Sequence, residues 1–290
     1  MRYFILILIS SINLYSQEIV EKDSLWTTRG NVAVLLNQTG FSDWVGGGTN
    51  NFSGTLKFDY EWEFKDKGWD WLTNVESAFG LAKYKNAPFA RKIDDRILIQ
   101  SIVGKEFTKN LSFSAFFNFT SQIGNGFKYK KDSENNEIRE LTTRIFSPAY
   151  FQLGSGFLWK KDESLWVNYS PVAARLILVS KKFTSSLSEN ETYFGVTQNK
   201  SSRYELGSNL TFHSEGTLFE NVNYKQDLKL FSNYLEDPSN IDLDYLAQIE
   251  IDVNPLLSTQ LIFQLIYDDN AIARLQVREV FGVGVQLKLN

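Results

Sequence analysis

The residues able to do chemistry in this 290-residue chain are carboxylates and cations at every second position. In IDLDYLAQIEID, Asp242, Asp244, Glu250 and Asp252 fall on one face of an alternating pattern. Two or three carboxylates on one face have the chemistry to hold Ca²⁺. Lys225, Lys229, Arg274 and Arg278, however, fall on the same kind of face in neighbouring segments. Charges drawn away from water pair with one another. A mixed-charge lining is therefore the expectation, with no metal site. Lys57, Asp59 and Glu61 in LKFDYEWEF read the same way. Asp268, Asp269 and Asn270 are expected to form an ordinary turn.

The chain has no cysteine and one histidine, His213. Thiol nucleophiles, disulfide scaffolds and multi-histidine metal sites are excluded. His213 stands beside Ser214, whereas twelve-stranded outer-membrane phospholipases place histidine and serine two apart. The expectation is a polar-face histidine near a turn. The stretch SDWVGGGTNNFSG, Ser42 to Gly54, carries three consecutive glycines. A phosphate loop needs its glycines between a strand and a helix whose N-terminal amides hold the anion. Here a strand pattern follows, and no GK[ST] is present. A glycine-rich loop between two strands is expected, with no catalytic residue and no cofactor. Net charge is −4 without a basic stripe, which argues against nucleic acid.

The elements that must position these residues repeat with a period of two. Phe52, Leu56, Phe58, Tyr60, Trp62 and Phe64 oppose Ser53, Thr55, Lys57, Asp59, Glu61 and Glu63. Successive strand side chains point to opposite faces, so this is a two-faced β-strand. Twelve such strands are expected, starting near 27, 51, 70, 95, 111, 149, 164, 202, 222, 240, 259 and 275. Many run 12 to 14 residues, longer than the globular mode of about 5 to 6. Links KDKG, TKN, KKDES, SEGTLFEN and NPLLS are short, while 39–50, 84–94, 123–148 and 181–201 are long. Aromatic residues crowd the short turns, as in an interfacial girdle. The N-terminus, MRYFILILISSINLYSQE, has a positive residue, an apolar run and small polar residues before a cut after Ser16. That is the pattern of a cleaved signal peptide. The expected organisation is a signal peptide at 1–16, a short periplasmic segment at 17–25 and a barrel at 26–290.

FSDWVGGGTNNFSG resembles the hallmark of a Bacteroidetes family of outer-membrane barrels, a domain of unknown function. Its pattern runs S-N-W-x-A-G-G-x-N-S. Ser42, Trp44, Gly47, Gly48 and Asn50 match it, while Asp43 and Gly46 replace asparagine and alanine. The resemblance implies an outer-membrane location and a cleaved signal, and it brings no catalytic residues.

The fold class is therefore all-β: an antiparallel transmembrane outer-membrane barrel of about twelve strands, embedded in outer-membrane lipid. An even strand number places both termini together, on the periplasmic side with the short turns. Two functions from different classes follow. One is a small pore or transporter-like barrel with a polar, mixed-charge lumen. The other is a non-conducting scaffold subunit or surface receptor of an outer-membrane complex, docking through Ser42, Trp44, Gly46, Gly47, Gly48 and Asn50. An enzyme is not expected.

Overall fold

The computed structural model describes residues 25–40 and 49–289. The signal peptide, most of segment 17–25 and the motif residues from Ser42 to Gly48 lie outside the described residues. Asn50 lies inside them, just before a strand.

Twelve long strands close into one antiparallel barrel. They are β1 (Trp26–Thr39), β2 (Asn51–Asp66), β3 (Trp69–Tyr84), β4 (Arg91–Thr108) and β5 (Leu111–Ser121), then β8 (Ala149–Asp162) and β9 (Leu165–Leu178). They continue with β12 (Ser202–Phe219), β13 (Val222–Asn233), β14 (Ile241–Asp252), β15 (Leu257–Asp268) and β16 (Ala273–Leu289). Each strand pairs with its neighbour in the chain order of the barrel, and β16 returns to β1. All twelve begin within four residues of the positions that alternation predicts. Four further strands lie in the loops, as two small hairpins. They are β6 (Gly126–Lys131) with β7 (Glu137–Thr143), and β10 (Thr192–Tyr193) with β11 (Val196–Thr197). Two single-turn helices, α1 (Lys181–Thr184) and α2 (Asp269–Ile272), complete the described residues. The two-residue strands and the single helical turns are too short to show a period, whereas β6 does alternate, in FKYK, inside the long link 123–148.

The two ends of the barrel differ. At one end the strands turn over in 67–68, 109–110, 163–164, 220–221 and 253–256. In the first of these turns Lys67 and Gly68 have φ of 47° and 77°, the positive values that a two-residue hairpin needs to match strand twist. SEGTLFEN, expected as a link, is mostly strand: β12 runs on to Phe219 and leaves only Glu220 and Asn221 to turn. His213 is consequently well inside β12, not at its end. At the other end lie the loops, including 122–148 and 179–201.

The apolar face points outward. Leu56, Phe113, Leu153, Tyr204, Phe263, Phe281 and Val285 are all exposed large apolar side chains. A soluble barrel would hide them; a hydrocarbon surround accepts them. Rings gather at the turn end. Trp26 packs on Phe64 at 5.1 Å and on Trp71 at 5.7 Å, and Phe113 bridges Phe107 at 4.4 Å and Phe157 at 5.7 Å. These rings have the height and chemistry of an interfacial belt. Glu279 sits on this outer face opposite Phe263.

Glycine permits close approach at two ladder irregularities. A Cβ on Gly207 would stand 1.8 Å from the Ser232 carbonyl oxygen, and one on Gly156 would stand 2.0 Å from that of Tyr169. Both lie beside register shifts of β9 with its neighbours. The seam between β1 and β16 is short, running from Gly30↔Leu289 to Leu36↔Val283.

Candidate functional site

The inward face carries the charges, and ion pairs join walls that lie far apart. On β2, Lys57, Asp59 and Glu61 alternate with outward Phe58 and Tyr60, because Lys57 pairs with Ala33 and Ala78 while Phe58 pairs with Val32 and Ser77. Lys225 and Lys229 on β13, Asp242, Asp244 and Glu250 on β14, and Arg278 on β16 share that inward parity. Arg274 also has inward parity but sits exposed at the loop end of β16, beyond the residues paired with β15, and joins no ion pair among the described residues.

The centre of the lumen is braced. Lys225 Nζ donates to Glu76 Oε1 at 3.1 Å. β13 and β3 are six strands apart in either direction, so this bridge spans the barrel. The other Glu76 oxygen accepts from Arg96 Nη2 at 3.0 Å. Arg278 reaches across to Asp94. Nearer the loops, Arg175 on β9 donates to Glu205 at 2.6 Å and also pairs with Asp242. Arg203 donates to the second Glu205 oxygen at 2.7 Å. Arg175 also lies over the Phe231 ring at 3.9 Å. Phe231, Phe116 and Ala173 form an apolar cluster inside the barrel, with Ile102 against it. Nearer the turns, Lys160 bridges Glu63 at 3.2 Å and Asp70 at 2.5 Å.

These braces divide the space. A cavity of about 440 Å³ on the turn side is lined by residues including Lys57, Asp59, Glu76, Lys225 and Glu250. On the loop side a cavity of about 570 Å³ is lined by residues including Asp94, Arg96, Tyr150, Asp244 and Arg278. Ordered loop structure stands over that end. Ile177, Val179 and Val196 form a buried cluster with Tyr150, Tyr193 and Phe194 against it. The Tyr193 hydroxyl donates to the Thr142 carbonyl at 2.5 Å, and burial raises its pKa.

His213 Nδ1 lies 2.8 Å from Asp227 Oδ1 and its ring stacks on Trp166 at 5.1 Å. Ser214 points the other way, its hydroxyl 3.1 Å from that of Tyr224. Histidine and serine thus occupy opposite faces of β12, and no dyad forms from them. Asp268 is the N-cap of α2, accepting from the Asn270 and Ala271 amides, so the expected turn is a capped helical turn. The barrel brings Asp242 to Asp268 and Asp269, three carboxylates within 4.8 Å, which sequence spacing did not show. Arg175 and the α2 amides already engage two of them.

Several lumen residues were missed in the sequence. Glu76 was legible: in NVESAFG it shares parity with Asn74. Arg175 was not, because the β8–β9 ladder shifts register between Ser155 and Phe157, breaking the alternation upstream of it.

A closed antiparallel barrel with an apolar exterior and a charged lumen is a transmembrane β-barrel of the outer-membrane type. Within it, the family described as Protein of unknown function (DUF3078) matches residues 36–127, from the end of β1 to the start of β6. No curated protein matches the sequence. Among solved structures, the translocator domain of autotransporter NalP from Neisseria meningitidis is similar at 9% identity and TM-score 0.43, covering 91% of this chain and 88% of that one. An outer membrane channel from Pseudomonas putida F1 is similar at 10% identity and TM-score 0.36, with 93% and 99% covered. The Pseudomonas putida toluene transporter TodX is similar at 9% identity and TM-score 0.34, with 91% and 87% covered.

Proposed function

We propose that the chain is an outer-membrane barrel, with both termini and the short turns periplasmic, acting as a narrow, ion-pair-gated path for small polar solutes. The observation that carries this is the Glu76–Lys225 bridge across the lumen, with a charged cavity on each side of it. A bridge that spans a lumen obstructs it only while it holds. The role is non-enzymatic in this reading, and lipid is the one partner that the outer face requires.

A second reading, a non-conducting scaffold or receptor barrel, is favoured by one feature: the packed cap of Tyr150, Val179, Tyr193 and Val196 at the loop end.

Single-channel recording in a planar bilayer separates them. For the gated path, the purified barrel shows small steps, and Glu76→Ala with Lys225→Ala enlarges them several-fold. A barrel that stays silent in both forms, while correctly inserted, overturns the gated path in favour of the scaffold.

A further inference from the structure

The turn-side cavity contains two opposite charges whose hydrogen-bonding capacity the described residues do not fill. Lys57 and Asp59 are two apart on β2 and both line the 440 Å³ space. Lys57 Nζ makes one hydrogen bond, to Gln260 Oε1 at 2.8 Å, and no ion pair among the described residues. An ammonium has three donors, so two remain unspent. Asp59 has no hydrogen bond and no ion pair among the described residues. Its direct cross-strand neighbours are Asn31 and Glu76, an amide and a like charge.

The other charges around this cavity are engaged. Glu76 holds Arg96 and Lys225. Glu250 accepts from Gln260 at 3.1 Å and from Gln286 at 3.0 Å. Glu215 lies 3.5 Å from Arg29 and 3.7 Å from His213. Lys225 and Glu76 act on Asp59 and Lys57 only through space, so among the described residues the cavity keeps a cation with two unspent donors and an anion that accepts no hydrogen bond, on the same face of one strand. Removing either charge from bulk water without a partner is unfavourable. Two residues along a strand span about 7 Å, too far for Lys57 and Asp59 to satisfy each other without bending toward each other. A guest with an ammonium and a carboxylate a few ångströms apart would satisfy both. A site of this size also falls within the usual range for small ligands, about 300–1,000 Å³.

We infer that Lys57 and Asp59 form a binding site for small zwitterionic solutes, with Lys57 taking the carboxylate and Asp59 the ammonium. This deepens the path reading and rests on it only for how the solute arrives.

The test is equilibrium binding to the full barrel in lipid nanodiscs, by calorimetry, with 4-aminobutyrate, acetate and methylammonium. The wild type binds 4-aminobutyrate at least tenfold more tightly than either singly charged solute. Lys57→Met and Asp59→Asn each remove that preference. The reciprocal exchange, Lys57→Asp with Asp59→Lys, keeps both charges and retains 4-aminobutyrate binding, which guards against a mere folding defect. Equal binding of the three solutes, absence of 4-aminobutyrate binding, or wild-type binding by both single variants overturns the site. A barrel that conducts without binding refutes this inference and leaves the path intact. One that binds without conducting refutes the path and leaves the site.

Discussion

The outer and inner faces of the same twelve strands obey different physics. Outward, Leu56, Phe113, Phe263 and Val285 meet a surround that asks only for apolar area. That demand is non-directional, so one large apolar residue substitutes for another. Inward, Glu205 is 3% exposed and held between Arg175 and Arg203. Most inner charges depend on a particular partner, often contributed by a distant strand. The outer face should therefore fail when a charge is added, and the inner face when one is removed.

The largest effect is expected at the inner face. Glu205→Ala removes the carboxylate that two guanidinium groups share and leaves Arg175 with Asp242 and Arg203 with Glu236, so the loss should approach, without exceeding, the roughly 3–5 kcal/mol of a fully broken buried pair. Urea unfolding of the inserted barrel measures this; a loss under about 1 kcal/mol would mean that lumen water replaces the carboxylate. Next comes the outer face. Val75 points outward on β3, opposite Tyr60 and Ile99. Val75→Arg should cost about 2–4 kcal/mol if it lies near the bilayer midplane, whereas Val75→Ile should be nearly neutral. A small cost for arginine would argue that this height is interfacial. Phe263→Arg sharpens the contrast. It puts the new cation opposite outward Glu279, so it should cost less than Val75→Arg in the same assay. Equal costs would show that Glu279 offers no compensation. The smallest effect belongs to the exposed loop hairpin, where Lys130 pairs with Glu140 and holds the Glu140 carboxyl below its usual pKa. Lys130→Ala should leave stability almost unchanged, because an exposed pair contributes little, and differential scanning calorimetry should find the melting temperature almost unmoved.

Legibility follows the same division. Outward Phe58, Tyr60 and Trp62 announce their strand through neighbours two positions away, so periodicity finds the strand and its faces. KDKG announces its turn through a glycine that tolerates positive φ. Lys57, Asp59 and Asp242 were legible as inward residues by parity alone. Their partners were not: Lys225 meets Glu76, 149 positions away, and nothing local encodes that pairing. The extent of β12 was misjudged at His213 because Ser, Glu, Gly and Thr after it resemble a link. Their hydrogen bonds to β13 keep them in the sheet.

By itself, then, the sequence determined an all-β chain of twelve two-faced strands with its charges on one face. Hydrophobic alternation is a local property, and a closed sheet is how such strands satisfy their backbone groups in lipid. Only the tertiary structure decided which charges meet, which braces cross the lumen and that Lys57 and Asp59 are left over. Ion pairing acts through space between strands on opposite walls, and closure of the barrel sets those distances.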